Sequence, residues 1–387
     1  MSLNLDKSAW KRVTFGDAVH NANDSVRNLD EAGIDRIIAM EHMDPGELKI
    51  SRWGSTENGT TFTRRVKPGQ TLFGKRRAYQ RKVGYAEFDA MCSGDIYTFE
   101  ADEAQMLGEF LPFLVQSNEF FDHALSTSAG SLSPRTNWRD LANFEFDLPP
   151  VDEQKRIADL LWATEWHRQA VDARSASSDR LADEVFSNVL ARSTAETILL
   201  PRVVEEMTVG VVVRPTQYYT DDPAGVPALR GLNIEPGGFD LTDLVRFKPE
   251  SAAELKKSTL GVGDVAIVRT GRPGDAAVVT DDIAGFNCID LIIARPGSGL
   301  VPEFLAHYLN SSYGRGQIAR LSAGTAQQHF NVGALKKLEI PHFDIDEQRQ
   351  IVQQVEEVRA SADLSREEAA SLRTVSTALL AEIFGGN

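Results

Sequence analysis

Asp147–Leu161, DLPPVDEQKRIADLL, and Glu339–Val355, EIPHFDIDEQRQIVQQV, are two versions of one phrase. Each has an apolar pair closed by proline, then Asp-Glu-Gln-basic, then apolar residues at helical spacing. Glu153-Gln154 is followed 194 residues later by Glu347-Gln348. Proline ends a strand, a short acidic side chain accepts backbone N–H groups, and the apolar spacing continues as a helix. The phrase therefore predicts a strand end followed by a helix start, twice, with Asp152 and Asp346 as N-caps.

Upstream, the same offset relates Gly69 to Gly263, Glu109-Phe110-Leu111 to Glu303-Phe304-Leu305, and Ser128-Ala129-Gly130-Ser131 to Ser322-Ala323-Gly324-Thr325. Asp44-Pro45-Gly46 and Glu235-Pro236-Gly237 match at an offset of 191, so a short insertion lies between. An ordered series at a nearly fixed offset is the signature of an internal duplication. Each copy is expected to hold an opening helical segment and then strands, Thr71–Phe73 and Ile96–Phe99 in the first, Val265–Val268 and Leu291–Ile293 in the second. A helical segment follows, Met106–Leu125 or Pro302–Leu321, and then a Gly-containing loop. Short alternating runs of this kind predict a mixed α/β (α+β) fold.

Downstream of each phrase, apolar or small residues recur at 4-3 spacing. In the second copy they are Ile351, Val355, Val358, Ala362, Ser365, Ala369, Leu372, Ser376, Leu379 and Ile383. In the first they are Ile157, Leu161, Thr164, Arg168, Val171, Ser175, Ser178, Ala182, Val185 and Val189. A narrow seam of this length is a coiled-coil pattern. Two helices of roughly 39 residues are expected, about 58 Å each, packed on one another antiparallel, with the first open to a break near Arg174–Ser178. The domain reading is 1–150 and 194–344 as globules, with 151–193 and 345–387 as long helical spacers.

The chain has 387 residues, 42% of them apolar and 25% charged, room for two domains of ordinary size. It has no run of eighteen apolar residues and opens without a secretory leader, so a cytoplasmic protein without membrane contact is expected. Two cysteines, Cys92 and Cys288, are too few for a disulfide framework or a zinc site and read as core. The net charge of −15 opposes nucleic-acid binding as a global property. Phe62–Lys82 is the local exception, with eight basic residues and no acidic one: Arg64, Arg65, Lys67, Lys75, Arg76, Arg77, Arg81 and Lys82. Tyr79 interleaves. In duplex recognition such cations neutralise phosphates, and a few arginines read guanine edges. Residues 256–276 carry only Lys256, Lys257, Arg269 and Arg272, against Asp264 and Asp275. Arg269 aligns with Lys75. Gln327, Gln328 and His329 fall in the loop equivalent to Ser133-Pro134-Arg135 and are further candidates, with Arg135, for base or phosphate contact.

Taken together, two target-reading globules, each feeding a long helix opened by a Pro…Glu-Gln-basic pattern, resemble the specificity subunit of a type I restriction–modification system. The resemblance covers essentially the whole chain. It implies a subunit without chemistry or cofactor of its own. Its two domains would each read half of a split site on double-stranded DNA, and its helices would set the gap. It would dock two methyltransferase subunits and, through the complex, the restriction/translocase subunits. The residues themselves leave two alternatives: a protein-interaction scaffold with a dimerising coiled coil, which the acidity suits, and an autonomous modification enzyme. Against the latter, Asp147-Leu148-Pro149-Pro150-Val151 is not a methyltransferase catalytic loop, since an extra residue intervenes and no aromatic follows. Thr270-Gly271-Arg272-Pro273-Gly274 matches no nucleotide fingerprint, and Pro249-Glu250 with Glu254-Leu255-Lys256 reads as a solvated helix rather than a nuclease motif, its carboxylates being too close in sequence to sit on separate strands. No catalytic or metal-binding residue is expected.

Overall fold

The computed structural model describes residues 5–26, 32–57, 59–130, 133–322 and 329–385. The chain forms two compact units. One holds residues 1–172 and 367–387, the other residues 173–366.

In the first unit the strands are β1 (Lys11–Thr14), β2 (Val19–Ala22), β3 (Arg36–Ile38), β4 (Gly54–Ser55), β5 (Arg64–Val66), β6 (Thr71–Gly74), β7 (Val83–Tyr85), β8 (Ala90–Cys92), β9 (Ile96–Ala101) and β10 (Glu145–Leu148). In the second they are β11 (Thr197–Leu199), β12 (Val204–Val209), β13 (Val226–Leu229), β14 (Ile234–Glu235), β15 (Gly238–Phe239), β16 (Val245–Phe247), β17 (Val265–Val268), β18 (Ala276–Val278), β19 (Asn287–Cys288), β20 (Leu291–Pro296) and β21 (Glu339–Pro341). The duplication is written in their pairing. Order β2-β9-β6-β7 in one unit is matched by β12-β20-β17-β18 in the other, and β1-β10 by β11-β21. A parallel pair occurs in each, β3 with β8 and β13 with β19. The central strands β6 and β17 are buried along their whole length, which is why they read as unbroken apolar runs.

Where one helix was expected after the sheet there are two in each copy: α1 (Leu111–Gln116) and α2 (Asn118–Ser126), then α4 (Pro302–Asn310) and α5 (Ser312–Ser322). The break falls at Ser117 and, 194 residues on, at Ser311. Each serine caps the next helix, its hydroxyl accepting from Phe120 N–H and Gly314 N–H, both at 3.2 Å. The opening helical segment is only a turn or two in each copy: Lys7–Ala9 and Phe15–Ala18 in the first, and the 3-10 turn Leu200–Arg202 after β11 in the second.

The two long helices are α3 (Val151–Arg192), 42 residues, and α6 (Ile345–Phe384), 40 residues. Helix α3 is continuous through Arg174–Ser178, so the expected break is absent: Ser175 is buried, and its hydroxyl donates to Ala362 O at 3.3 Å instead of unwinding its own helix. The expected caps also move. Asp344, not Asp346, caps α6; its carboxylate accepts from Asp346 N–H and Glu347 N–H, while Glu347 accepts from Asp344 N–H. This reciprocal box starts the helix at Ile345, two residues earlier than a cap at Asp346 would. In the first copy Pro150 O takes the opening bonds from Glu153 and Gln154 N–H, both 2.9 Å, leaving Asp152 in the first turn.

Phe15, Phe73, Phe99, Phe120 and Phe121 form the centre of the first core, with Phe15 and Phe99 edge-to-face at 5.2 Å. The same cluster takes in Ile157 and Leu161 from the start of α3, and Leu379 and Ile383 from the end of α6. The second core is more aliphatic, Val265, Ile267, Ile292, Leu305 and Phe304, and takes in Phe186 and Leu190 from the end of α3 with Ile351 and Val355 from the start of α6. In each unit, then, the start of one helix meets the end of the other, and the pair is antiparallel. Every one of the twenty seam positions is buried or half-buried.

Candidate nucleic-acid interface

The cations of the basic run fall into two settings. Arg64, Arg65 and Lys67 belong to β5 and the turn after it, and their charge is used within the domain. Arg64 donates to Ile96 O and to Asn23 Oδ1, Arg65 pairs with Asp89 at 2.7 Å, and Lys67 with Asp24 at 2.6 Å. Lys82 donates to Met40 O at 2.6 Å. Arg81 lies 4.3 Å over the Phe121 ring and donates to Asn118 Oδ1.

The stretch from Lys75 to Arg77, where β6 ends, is different. It is joined by residues 133–136, which bridge back to it: Thr136 N–H donates to Lys75 O at 2.9 Å and Arg77 N–H to Pro134 O at 2.8 Å. This places Arg135 beside Arg76. Both share the Asp95 carboxylate, Arg76 at 3.4 Å and Arg135 at 3.2 Å, and Arg76 Nε donates to Ser133 Oγ at 2.7 Å. Lys75 Nζ stands 5.0 Å from the Tyr97 ring centre. Partial burial, with repulsion from Arg64 and Arg135 against attraction from Asp95, holds the Lys75 ammonium below the ordinary lysine range. An arriving anion would relieve that repulsion. Arg77 and Tyr79 (54% exposed) project into solvent, and Arg77 and Arg81 both sit at positive φ, +55° and +51°. Non-glycine residues in that region are strained, and such strain clusters at binding sites.

The second copy repeats the scaffold with different chemistry. Phe330 N–H donates to Arg269 O at 3.0 Å, the counterpart of Thr136 to Lys75. Arg269 pairs with Asp290 and donates to Phe330 O. His329 Nδ1 is 2.8 Å from Thr270 Oγ, the position of the Arg135–Arg76 pair. Arg272 is bound to Ile234 O and to the buried carboxylate of Asp275. Gln327 and Gln328 lie outside the described residues. Asp95, Ser133, Thr270 and Asp290, which orient the cations, are absent from the sequence-derived set. They meet their partners only through the fold, and the one available signal was the near-equivalent spacing of Asp95 and Asp290.

Cys92 and Cys288 are fully buried, and burial pushes each thiol up to about 12. Among the described residues no group of His, Cys, Asp or Glu is placed to hold a metal ion, and no helix is long and apolar enough to cross a membrane. Pro249–Glu254 is a short, mostly exposed helix.

Each unit of this duplicated α/β chain carries a polar, cation-bearing strand end and packs on the start of one long helix and the end of the other. Residues 35–165 match the family model described as type I restriction modification DNA specificity domain. The chain is 25% identical over 316 residues to the EcoBI specificity subunit of Escherichia coli, covering 70% of this chain and 65% of that one. It is 29% identical over 157 residues to the EcoDI specificity subunit of the same organism, 40% of this chain and 32% of that one. The chain thus spans less than two thirds of the length of these relatives. The fold matches the type I system S subunit from M. genitalium over 100% of both chains, with TM-score 0.58 at 14% identity. It also matches a chain from a study of type I R-M complex assembly over 98% of both, with TM-score 0.56 at 19% identity. Residues 35–165 thus match a type I restriction–modification DNA specificity domain, and the chain as a whole is similar to the specificity subunits of such systems.

Proposed function

We propose that this chain is the DNA-recognition subunit of a type I restriction–modification complex and performs no bond chemistry itself. Residues 1–150 and 194–344 are the target-recognition domains, and 151–193 and 345–387 the spacers. Each domain reads one half of a split duplex site, the helix pair fixes the gap, and two methyltransferase subunits dock on the chain and link it to the restriction/translocase subunits. Its place is the cytoplasm, with the DNA. The observation that carries this reading is the repeated strand-end surface, where Lys75 and Arg269 hold equivalent positions, each tied to its returning loop by the same main-chain bond. The DNA contacts are made by Lys75, Arg76, Arg77, Tyr79 and Arg135 in the first domain and by Arg269, Thr270 and His329 in the second. The other cations of the run, with Arg272, shape these surfaces.

The test is selection of duplexes from a random pool by the full chain, alone and with its methyltransferase partners, across a salt series. A split consensus with an affinity that falls steeply with salt is expected. Salt-independent or absent DNA binding in both settings would return the chain to the scaffold reading.

A further inference from the structure

Val212 and Val213 stand in solvent side by side, 51% and 74% exposed, just after β12. The loop that carries them is fixed at its base. Val211 N–H donates to Cys288 O at 2.9 Å, and Asp290 N–H donates to Val211 O at 3.1 Å. Gly210 lies so close beneath that a Cβ there would stand 2.4 Å from Cys288 O, so only glycine lets the strand pass. Beyond the pair, Arg214 is exposed and held at φ +46°, and Asp290, at φ +51°, turns its carboxylate onto Arg269. The base of the apolar tip is therefore tied to the strand end of the second domain: Val211 is bonded to Asp290, Asp290 to Arg269, and Arg269 to Phe330, next to His329.

Two adjacent β-branched residues on a loop fixed at its base, next to Arg214 and tied to the strand end of Arg269, make a small apolar tip suited to an occupant. With cations at its rim, the occupant must be anionic around an apolar centre. The major groove of a duplex has that form, with phosphates at its edges and thymine C5-methyl groups on its floor. We infer that Val212 and Val213 read thymine methyl groups in the second half-site, flanked by Arg214 and Arg269. This rests on the DNA-recognition reading above. It also accounts for the unequal charge of the two copies. In the first domain the residues after β2 are Asn23 and Asp24, which pair with Arg64 and Lys67, and the positive-φ side chains are Arg77 and Arg81; that domain reads through cations. The second domain has fewer cations in the equivalent stretch and reads in part through methyl contacts.

The experiment uses the full chain, with its methyltransferase partners where binding requires them, and the duplex it selects. Each thymine of the second half-site is replaced by uracil, which lacks only the methyl group. Wild-type affinity should fall about fourfold for each contacted methyl, the worth of one buried carbon. Val212→Ser/Val213→Ser, and the shape-conserving Val213→Thr, should bind the thymine duplex more weakly and lose part or all of the penalty for uracil. Uracil in the first half-site should cost wild type and variants equally. Indifference of the wild type to uracil, undiminished uracil sensitivity in the variants, or a second half-site without thymine overturns the inference and leaves the DNA-recognition reading intact. If no duplex is enriched at all, both fall.

Discussion

The side-chain oxygen of Gln348 accepts the main-chain N–H of Val301 at 2.9 Å, while its amide donates to Gly299 O and Phe343 O, both at 3.0 Å. Gln154 makes the same three bonds in the first copy, accepting from Leu107 N–H and donating to Gln105 O and Pro149 O. Both glutamines are buried. The Glu-Gln pair that reveals the duplication in sequence is thus a clamp, holding the first turn of each long helix against the loop that precedes the helices of its own domain. The glutamine is fully satisfied only by that loop and that turn together.

Gln348→Leu and Gln154→Leu should each destabilise their unit by about 3 kcal/mol, because a buried N–H and two carbonyls lose their partner while the volume is kept. Denaturant titration followed by circular dichroism measures this. A loss below about 1 kcal/mol in both variants would show that water replaces the clamp.

Arg168 is almost wholly buried in α3 and binds Glu47, Glu165 and Asp172. Burial works against its charge, but Glu165 and Glu47 outweigh it and hold the guanidinium above the ordinary arginine range. Arg168→Ala leaves carboxylates uncompensated and should cost about 3–5 kcal/mol. Arg168→Lys, which keeps the charge but not the planar fork, should lie between alanine and wild type. Equal melting of the lysine and alanine variants would show that charge alone contributes nothing there.

Lys75 should set an alkaline limit to DNA binding. Its ammonium is already held below the ordinary range near about 10.4, so it loses charge earlier than a free lysine as pH rises. Wild-type affinity should decline on the way up to that range, and Lys75→Arg should move the decline upward. Arg77→Ala, at an exposed side chain, should flatten the salt slope by roughly 0.9 if one phosphate contact is lost. Binding measured by fluorescence anisotropy decides both, and identical pH profiles for wild type and Lys75→Arg would remove Lys75 from the interface.

Four residues inserted into both helices, after Asp172 in α3 and after Arg366 in α6, keep the antiparallel seam with a small local unwinding. Each helix gains about 6 Å, close to two base pairs at about 3.4 Å each. The selected half-sites should be unchanged and the preferred gap one or two base pairs longer. A folded variant that keeps the original gap rules out the helices as the ruler.

Much of this was legible in the sequence because it was written twice. The offset of 194 located the helix starts and the seam, and the apolar runs at Thr71 and Val265 located the central strands. Local competition was not legible. Asp344 against Asp346 as cap is decided by which carboxylate reaches Glu347 N–H, and Ser117 and Ser311 break helices whose apolar pattern runs straight through them. The basic run misled in one respect, since Asp24, Asp89 and Asp95, distant or shielded in sequence, take up much of its charge in space. The apolar tip at Val212 gave no signal, because an exposed valine and a buried one are spelled alike.

The two buried thiols have a practical consequence. Cys92 lies in the first copy and Cys288 in the second, each in a strand paired on its parallel neighbour, each closed to solvent and protonated at any working pH. An alkylating reagent reaches them only when the surrounding strands part. The chain therefore carries one natural reporter of transient opening per copy. Mass-resolved labelling rates at Cys92 and Cys288 would time the breathing of each domain separately, without adding a probe, and would register which domain a bound half-site quiets.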